Sequence, residues 1–410
     1  MVINIYNDFL RAILMVSTNK FLILFNLIFL VSISSSEMYY PENIWELSSP
    51  EAQKVNSDKV NKLINLSFND QSTLGVVIIK NGKIIGEKYA DGYDSSSHGT
   101  SWSMAKSYYA ALVGISIEKG EIGSLDDKVG KYLDYYNDER SEITIRDLLD
   151  MSSGLDFPAH EHEKMFFQSN HLDYAKSVGV EKDAGVKWEY NNVNSMIIGD
   201  ILYSATGVKA DKLLSERIFK PIGMKNFKLW KDENGNVLTY CCVDMSAQEY
   251  SKFGLLFARD GQWNGKQIIP KKFIDETFKV VWGFTPDSPR RGYSLHWWIS
   301  KYDDESKIFN TSGKFGQYTF VDRENDIVFT RITKYAQKDN GDVQKWGPLK
   351  YFRWAGVSTS VMIARTLLDL GVIKEGEDVV APITEEIGES KEFYRDYEKI
   401  IDAMADLSRD

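Results

Sequence analysis

Apolar positions along the 410-residue chain form strand-like runs toward both ends of its main body and helix-like runs between them. LGVVIIKNGKIIGEKYA (74–90) carries two apolar runs about Asn81-Gly82, a dipeptide suited to a tight turn, and predicts a β-hairpin. SDKVNKLINLSF (57–68), before it, predicts a short helix. From Ser103 to Gly120 the apolar residues Ala110, Leu112, Val113, Ile115 and Ile117 occupy nearly every face of a helix. That distribution predicts a helix surrounded by protein, with Gly120 stopping it. Thr144 caps ITIRDLLDMSSG, a further helix follows Asn191 in NNVNSMIIGDILYSATG, and Ser246 opens SAQEYSKFGLLFARDG, so the middle of the chain is mostly helical. Strand character returns in GYSLHWWIS and in QYTFVDRENDIVFTRIT, where two alternating runs flank the turn residues Asp322 to Asp326, and STSVMIARTLLDLG reads as a last core helix. The whole pattern predicts an α+β fold: an antiparallel β-sheet completed by distant segments and flanked by helices, with a helical insertion and no internal repeat.

Composition supports a real core, at 43% hydrophobic residues, and a formal net charge of -10 with no basic cluster argues against a nucleic-acid partner. The N-terminus changes the picture more. Lys20, an apolar run from Phe21 to Val31 and small polar residues to Ser36 follow the order of a signal peptide, and an uncleaved anchor fits the same residues 1–36. Both readings predict export, to a periplasmic or extracellular location, and membrane contact through that segment alone. Residues 37–69 read as a linker and helix, 70–373 as the main domain, and 374–410 as an acidic tail with an amphipathic helix from Glu389 to Leu407. The two cysteines, Cys241 and Cys242, are adjacent; they cannot make a zinc site alone, and two buried thiols are the commoner state of such a pair, with a vicinal disulfide as the alternative in an oxidising compartment.

Candidate chemistry begins with Ser-x-x-Lys, which occurs three times, at Ser17/Lys20, Ser103/Lys106 and Ser116/Lys119. Ser17 falls in the signal region, and Ser116 lies near the end of its helix, where the dipole opposes a developing alkoxide. Ser103 starts its helix, where backbone N–H groups favour negative charge, and Lys106 lies one turn on along the same face. A serine needs a base beside it, and a partly desolvated lysine can serve; the plain alternative is a helix cap beside a solvated lysine. Tyr190 and Asn192 stand just before a helix in GVKWEYNNVNSMIIGDIL. A tyrosine near two lysines has its pKa pulled below about 10 and can relay the serine proton, while Asn192 can orient Lys106 or a substrate amide. Lys314-Phe315-Gly316 heads the C-terminal hairpin, where the N–H of Gln317 could join that of Ser103 as a second oxyanion donor.

Taken in order, Ser103-Met-Ala-Lys106, Tyr190-Asn-Asn192 and Lys314-Phe-Gly316 resemble the three motifs of the serine β-lactamase and penicillin-binding superfamily, and Tyr-x-Asn its class C branch. Linking stretches resemble the class C-related esterases and 6-aminohexanoate-dimer hydrolases over roughly residues 70 to 370. The resemblance implies an antiparallel sheet flanked by helices with an all-α subdomain, a site between them, and acyl-enzyme catalysis without metal or other cofactor. It implies Ser103 as nucleophile, Lys106 as its activator and Tyr190 as general base and acid. In family members that act on β-lactams or D-Ala-D-Ala peptides the third motif is usually Lys-Thr-Gly with a small residue after it, and its hydroxyls help grip a carboxylate. Phe315 and Gln317 replace that polar pair, which argues against β-lactamase and D,D-peptidase activity. Lys314 keeps a positive charge, and Phe166, Phe167 and Tyr174 could wall the site.

His160-x-His162 is too short for a helical zinc pair and has no evident third ligand, and no Gly-x-Ser-x-Gly elbow occurs. The sequence therefore predicts an exported serine hydrolase acting on a small-molecule ester or amide. Its alternatives are a penicillin-interactive β-lactamase or D,D-peptidase, and a non-catalytic binding protein on the same fold.

Overall fold

The computed structural model describes residues 38–41, 44–158, 165–166, 168–304, 306–334 and 391–409. The signal segment, the His160/His162 pair, Phe167 and the helix expected over 358–371 lie outside the described residues. Helix α1 (Ser57–Ser67) precedes the hairpin β1 (Thr73–Lys80) and β2 (Lys83–Tyr89), and Asn81 and Gly82 turn it with positive φ as their side chains allow. Strand β3 (His98–Thr100) leads through a 3-10 turn, Trp102–Met104, into α2 (Ala105–Glu118). Then come α3 (Ile145–Leu149), α4 (His171–Ser177), α5 (Asn192–Thr206) and α6 (Ala210–Leu214), the expected helical insertion. Thr144 caps α3 through a reciprocal box with Asp147, and Asn191 caps α5.

The chain returns through β4 (Lys228–Leu229) and β5 (Val243–Ser246) to α7 (Ala247–Ala258), capped by Ser246. A ribbon of β6 (Gln262–Trp263) and β7 (Lys266–Gln267) and helix α8 (Lys271–Thr277) follow. Strands β8 (Trp282–Gly283), β9 (Gly292–Ser294), β10 (Trp297–Tyr302), β11 (Lys307–Gly313), β12 (Gln317–Asp322) and β13 (Ile327–Thr333) complete the main sheet, and α9 (Lys391–Asp406) closes the described chain. Among the described residues the sheet has eight strands in the order β2-β1-β13-β12-β11-β10-β9-β8. Its ladders are antiparallel, and distant segments meet where β1 pairs with β13, as the sequence pattern predicts.

Both faces of this sheet are covered, which is why β1 reads as an almost unbroken apolar run rather than as an alternation. Val77, Ile79, Val321 and Val328 point into one core shared with α2, α7 and the helical insertion, while Val76, Ile78, Phe320 and Phe329 point into a second core with α1 and α9. Helix α2 is buried from Ala105 to Ser116, in keeping with its all-round apolar pattern. None of the described helices is long and apolar enough to cross a membrane.

Candidate active site

Ser103 does not cap α2. It lies inside the 3-10 turn ahead of the helix, and neither that turn nor α2 has a side-chain cap bond. The turn is braced from β5: Ser101 N–H donates to the Val243 carbonyl and Val243 N–H to Ser101 Oγ, each at 2.8 Å. Trp102, next along, is held at φ 47°, a conformation that a bulky residue keeps only when its surroundings impose it. Lys106, on the first turn of α2 and only 1% exposed, brings Nζ to 2.9 Å from Ser103 Oγ and donates to the Tyr240 carbonyl at 2.6 Å. Burial holds its pKa well below that of an ordinary lysine, because the enclosed ammonium loses its hydration. The other two serines of the pattern differ: Ser17 lies outside the described residues, and Ser116 is buried where Arg217 Nη1 donates to its hydroxyl at 3.1 Å.

Tyr190 comes to this pair from the segment before α5. Lys106 Nζ stands 5.0 Å from its ring centroid, and the Ser103 hydroxyl is near enough to Tyr190 to pull its pKa down. Its pKa departs from the sequence expectation. Burial pushes it up to about 12, against smaller downward pulls from the Ser103 hydroxyl and the Arg290 charge. Burial outweighs any lysine nearby, and Lys106, its own pKa held down by burial, is not among the groups that lower that of Tyr190. Asn192 is buried at the first position of α5, and its Oδ1 has no hydrogen-bond partner among the described residues. Tyr240 O, rather than Asn192, is the group that holds Lys106.

The third motif is placed differently from the other two. Lys314-Phe315-Gly316 forms the turn between β11 and β12, with Phe315 at φ 62° and Gly316 at φ 82°. Phe315 packs edge-on against Trp102, their centroids 5.6 Å apart, and Lys314 Nζ lies 5.2 Å from the Phe315 ring. Gln317 opens β12 with its side chain turned to β13, where its Oε1 accepts from Thr333 N–H at 3.0 Å. The backbone that presses on the serine turn is the end of β11: a Cβ added at Gly313 would lie 2.1 Å from the Ser101 carbonyl oxygen. Strand β10 pairs with β11 only as far as Trp298↔Asn310, so Thr311, Ser312 and Gly313 run on past it.

Aromatic rings wall the site. Phe166 lies 6.0 Å from Trp102 and 5.3 Å from Tyr240, as a wall residue should, whereas Tyr174 packs on Phe157 in the core. Cys241 and Cys242 follow Tyr240 directly and are joined as a disulfide, in place of the expected two thiols. Among the described residues no group of three or more His, Cys, Asp or Glu side chains could hold a metal ion.

Sequence reasoning passed over two contributors. Tyr240 acts through its carbonyl, which leaves no mark in residue type. Arg290 comes from the turn-rich stretch PDSPRRG; its Nη2 donates to Ser312 Oγ at 3.0 Å, and its guanidinium lies 3.8 Å from the Trp298 ring centroid. The pair of arginines just ahead of a predicted strand was the one available signal.

Comparison with known proteins bears on family and fold. The family model described as Beta-lactamase matches residues 67–348. The chain is 25% identical over 243 residues to a protein of Salmonella heidelberg provisionally named a D-alanyl-D-alanine carboxypeptidase; the match covers 50% of this chain and 55% of that protein, so the chain spans about half its relative's length. A solved structure from Bacillus anthracis, provisionally named a 6-aminohexanoate-dimer hydrolase, is similar with a TM-score of 0.60 at 21% identity, covering 76% of this chain and 83% of that one. The octameric penicillin-binding protein homologue from Pyrococcus abyssi has a TM-score of 0.57 at 18% identity, over 68% and 73%. At these identities the structural likenesses establish the antiparallel-sheet-and-helix fold of that superfamily.

Proposed function

The chain belongs to the beta-lactamase family, and on that premise we propose that it is a serine hydrolase opening a small ester or amide through an acyl-Ser103 intermediate. The observation that carries the reading is the 2.9 Å contact between Ser103 Oγ and the buried Lys106 Nζ, whose neutral amine is favoured by burial. Lys106 takes the hydroxyl proton as Ser103 attacks the substrate carbonyl, and the Tyr240 carbonyl stabilises the ammonium so formed. Backbone N–H groups of Ser103 and of the Gly313–Gln317 hairpin receive the oxyanion. Tyr190, a protonated phenol at neutral pH, gives its proton to the leaving group and takes one directly from the Lys106 ammonium, whose Nζ stands 5.0 Å from its ring centroid. Export, read from residues 1–36, belongs to the same proposal.

A penicillin-interactive enzyme is the second reading, favoured by the name of the Salmonella relative. Treatment with a fluorophosphonate, benzylpenicillin and a 4-nitrophenyl ester, followed by peptide mapping, decides between them. A fluorophosphonate adduct on Ser103 with ester turnover and no stable penicilloyl species is expected, and Ser103→Ala should abolish both adduct and turnover. Ser116→Ala should leave turnover nearly unchanged; equal losses in the two variants would overturn the choice of serine. A trapped penicilloyl-Ser103 would favour the second reading.

A further inference from the structure

We propose that His296 is a positioning residue of this site: its imidazole ties the first turn of α5 to the Tyr293 ring and so holds Tyr190 in place beside Ser103. The inference rests on the acyl-Ser103 reading and adds to it the residue that sets the proton donor. His296 belongs to none of the three motifs. Leu295 and His296 alone connect β9 to β10, at φ 42° and 62°. Two consecutive left-handed residues make a tight hairpin turn of the kind that asparagine and glycine favour, and turns ordinarily face water. Here a leucine and a histidine fill it, 0% and 2% exposed. Such a backbone persists where its surroundings impose it, and the surroundings are the helices of the site. Leu295 N–H donates to Asp150 Oδ1 at 2.7 Å, and His296 N–H to the Leu149 carbonyl at the end of α3, at 2.8 Å. From α2, the hydroxyl of Ser107, next to Lys106, donates to the His296 carbonyl at 2.6 Å.

The side chain serves different partners. Nε2 lies 3.0 Å from Ser195 Oγ, in the first turn of α5, and Nδ1 lies 3.4 Å from the Tyr293 hydroxyl. Both contacts lead to Tyr190. Along the chain, Tyr190 stands two residues ahead of α5, so anchoring Ser195 anchors the segment that carries the phenol. Through space, the Tyr293 ring lies edge-on to that of Tyr190 at 6.5 Å and to that of Trp298 at 4.8 Å. Trp298 in turn stacks on Tyr190, with centroids 5.7 Å apart and planes 19° from parallel. Burial, and after it charge on Lys106, holds the His296 pKa well below the usual histidine range, so the ring is neutral. Whichever nitrogen carries the proton, one donates and the other accepts between the two hydroxyls. The backbone of His296 thus braces the helix of Lys106, and its imidazole braces Tyr190.

His296→Asn separates these two roles, because asparagine accepts the left-handed backbone while its shorter side chain falls short of Ser195. The variant should lower kcat/KM for 4-nitrobenzyl butanoate, whose alkoxide must be protonated as it leaves, by about tenfold or more. It should lower kcat/KM for 4-nitrophenyl butanoate less, because that phenolate leaves unprotonated. Fluorophosphonate labelling of Ser103, which calls only on Ser103 and Lys106, should slow least. Equal losses in all three overturn the proposal, because a residue that only maintains the fold would lower them together. In a Tyr190→Phe background, His296→Asn should cost the benzyl ester little more than Tyr190→Phe alone, and additive losses overturn the proposal as well. Should His296→Asn fail to fold, Ser195→Ala, which removes only the hydroxyl on α5, decides: the same order of losses supports the proposal and equal losses overturn it. Absence of a fluorophosphonate adduct on wild-type Ser103 is a separate result, which overturns the acyl-Ser103 reading and this inference with it.

Discussion

At the scale of single residues, burial acts on Lys106 and Tyr190 in opposite directions. Both are deprived of water, and each is pushed toward its neutral form: the amine for Lys106, the phenol for Tyr190. Ester turnover should therefore rise with pH as Lys106 deprotonates, through a pKa below that of a free lysine. It should then stay level beyond pH 10, because Tyr190 ionises at about 12. A pH profile of kcat/KM checks this, and a rate still climbing tenfold per pH unit at pH 11 would make the Tyr190 phenolate the base. Lys106→Arg, which cannot lose its proton, should remove turnover, and Tyr190→Phe should lower it by about a hundredfold. Residue identity made Ser103, Lys106 and Tyr190 legible in the sequence, since position on a helix separates Ser103 from Ser116. The direction of the shifts was not legible: proximity of cations suggested a lowered Tyr190, but only the enclosure seen in the fold shows that burial raises it and lowers Lys106.

At the scale of elements, the third motif shows what a short string can and cannot specify. Hairpin and strand were readable from the alternation about Asp322 to Asp326, and β12 and β13 form as expected. Lys-x-Gly drew attention to residues 314–316 because lysine is chemically conspicuous, yet those residues make the turn. Thr311-Ser312-Gly313, with no charged side chain, is the stretch beside the Ser103 turn. Which residue of a strand abuts a neighbouring backbone depends on register with elements 200 residues away, and Ser101 and Gly313 meet only once β3, β5 and the main sheet are in place. The close approach predicts a sharp response. Gly313→Ala forces a Cβ to 2.1 Å from the Ser101 carbonyl, and backbone on both sides leaves no flexible side chain to yield. Displacement of the serine turn should cost about a hundredfold or more in ester turnover, with a fall in stability of about 1–3 kcal/mol. Ester kinetics and urea unfolding of the variant measure both, and near-normal turnover would show that the turn is positioned from β5 alone.

At the scale of the whole molecule, the two segments outside the motifs, one before the sheet and one at the C-terminus, form a single support for the sheet that carries the site. Sequence gave α9 an amphipathic pattern but no destination. In the fold, α9 packs on α1, and Ile400, Ile401 and Met404 enter the same core as Leu63, Ile64, Phe320 and Phe329. Tyr397 extends the contact inward: its hydroxyl is 2.8 Å from Ser300 Oγ and 3.2 Å from Asn310 Oδ1, on the strands that lead to Trp298 and Ser312. Glu398 and Asp402 of α9 face outward, Asp402 being 70% exposed and 3.2 Å from Lys301 Nζ. The balance between these contacts gives the last prediction. Ile401→Ala removes buried methyl groups from a packed core and should cost about 2–4 kcal/mol, whereas Asp402→Ala breaks only an exposed ion pair and should cost less than about 1 kcal/mol. Urea unfolding followed by both tryptophan fluorescence and far-ultraviolet circular dichroism should give one coincident transition, moved to lower urea by Ile401→Ala in both signals. A midpoint that Ile401→Ala leaves in place would mean that α9 is detached from the sheet in solution. One coincident shift would mean that the C-terminal helix and the sheet beneath Ser312 fold as one unit.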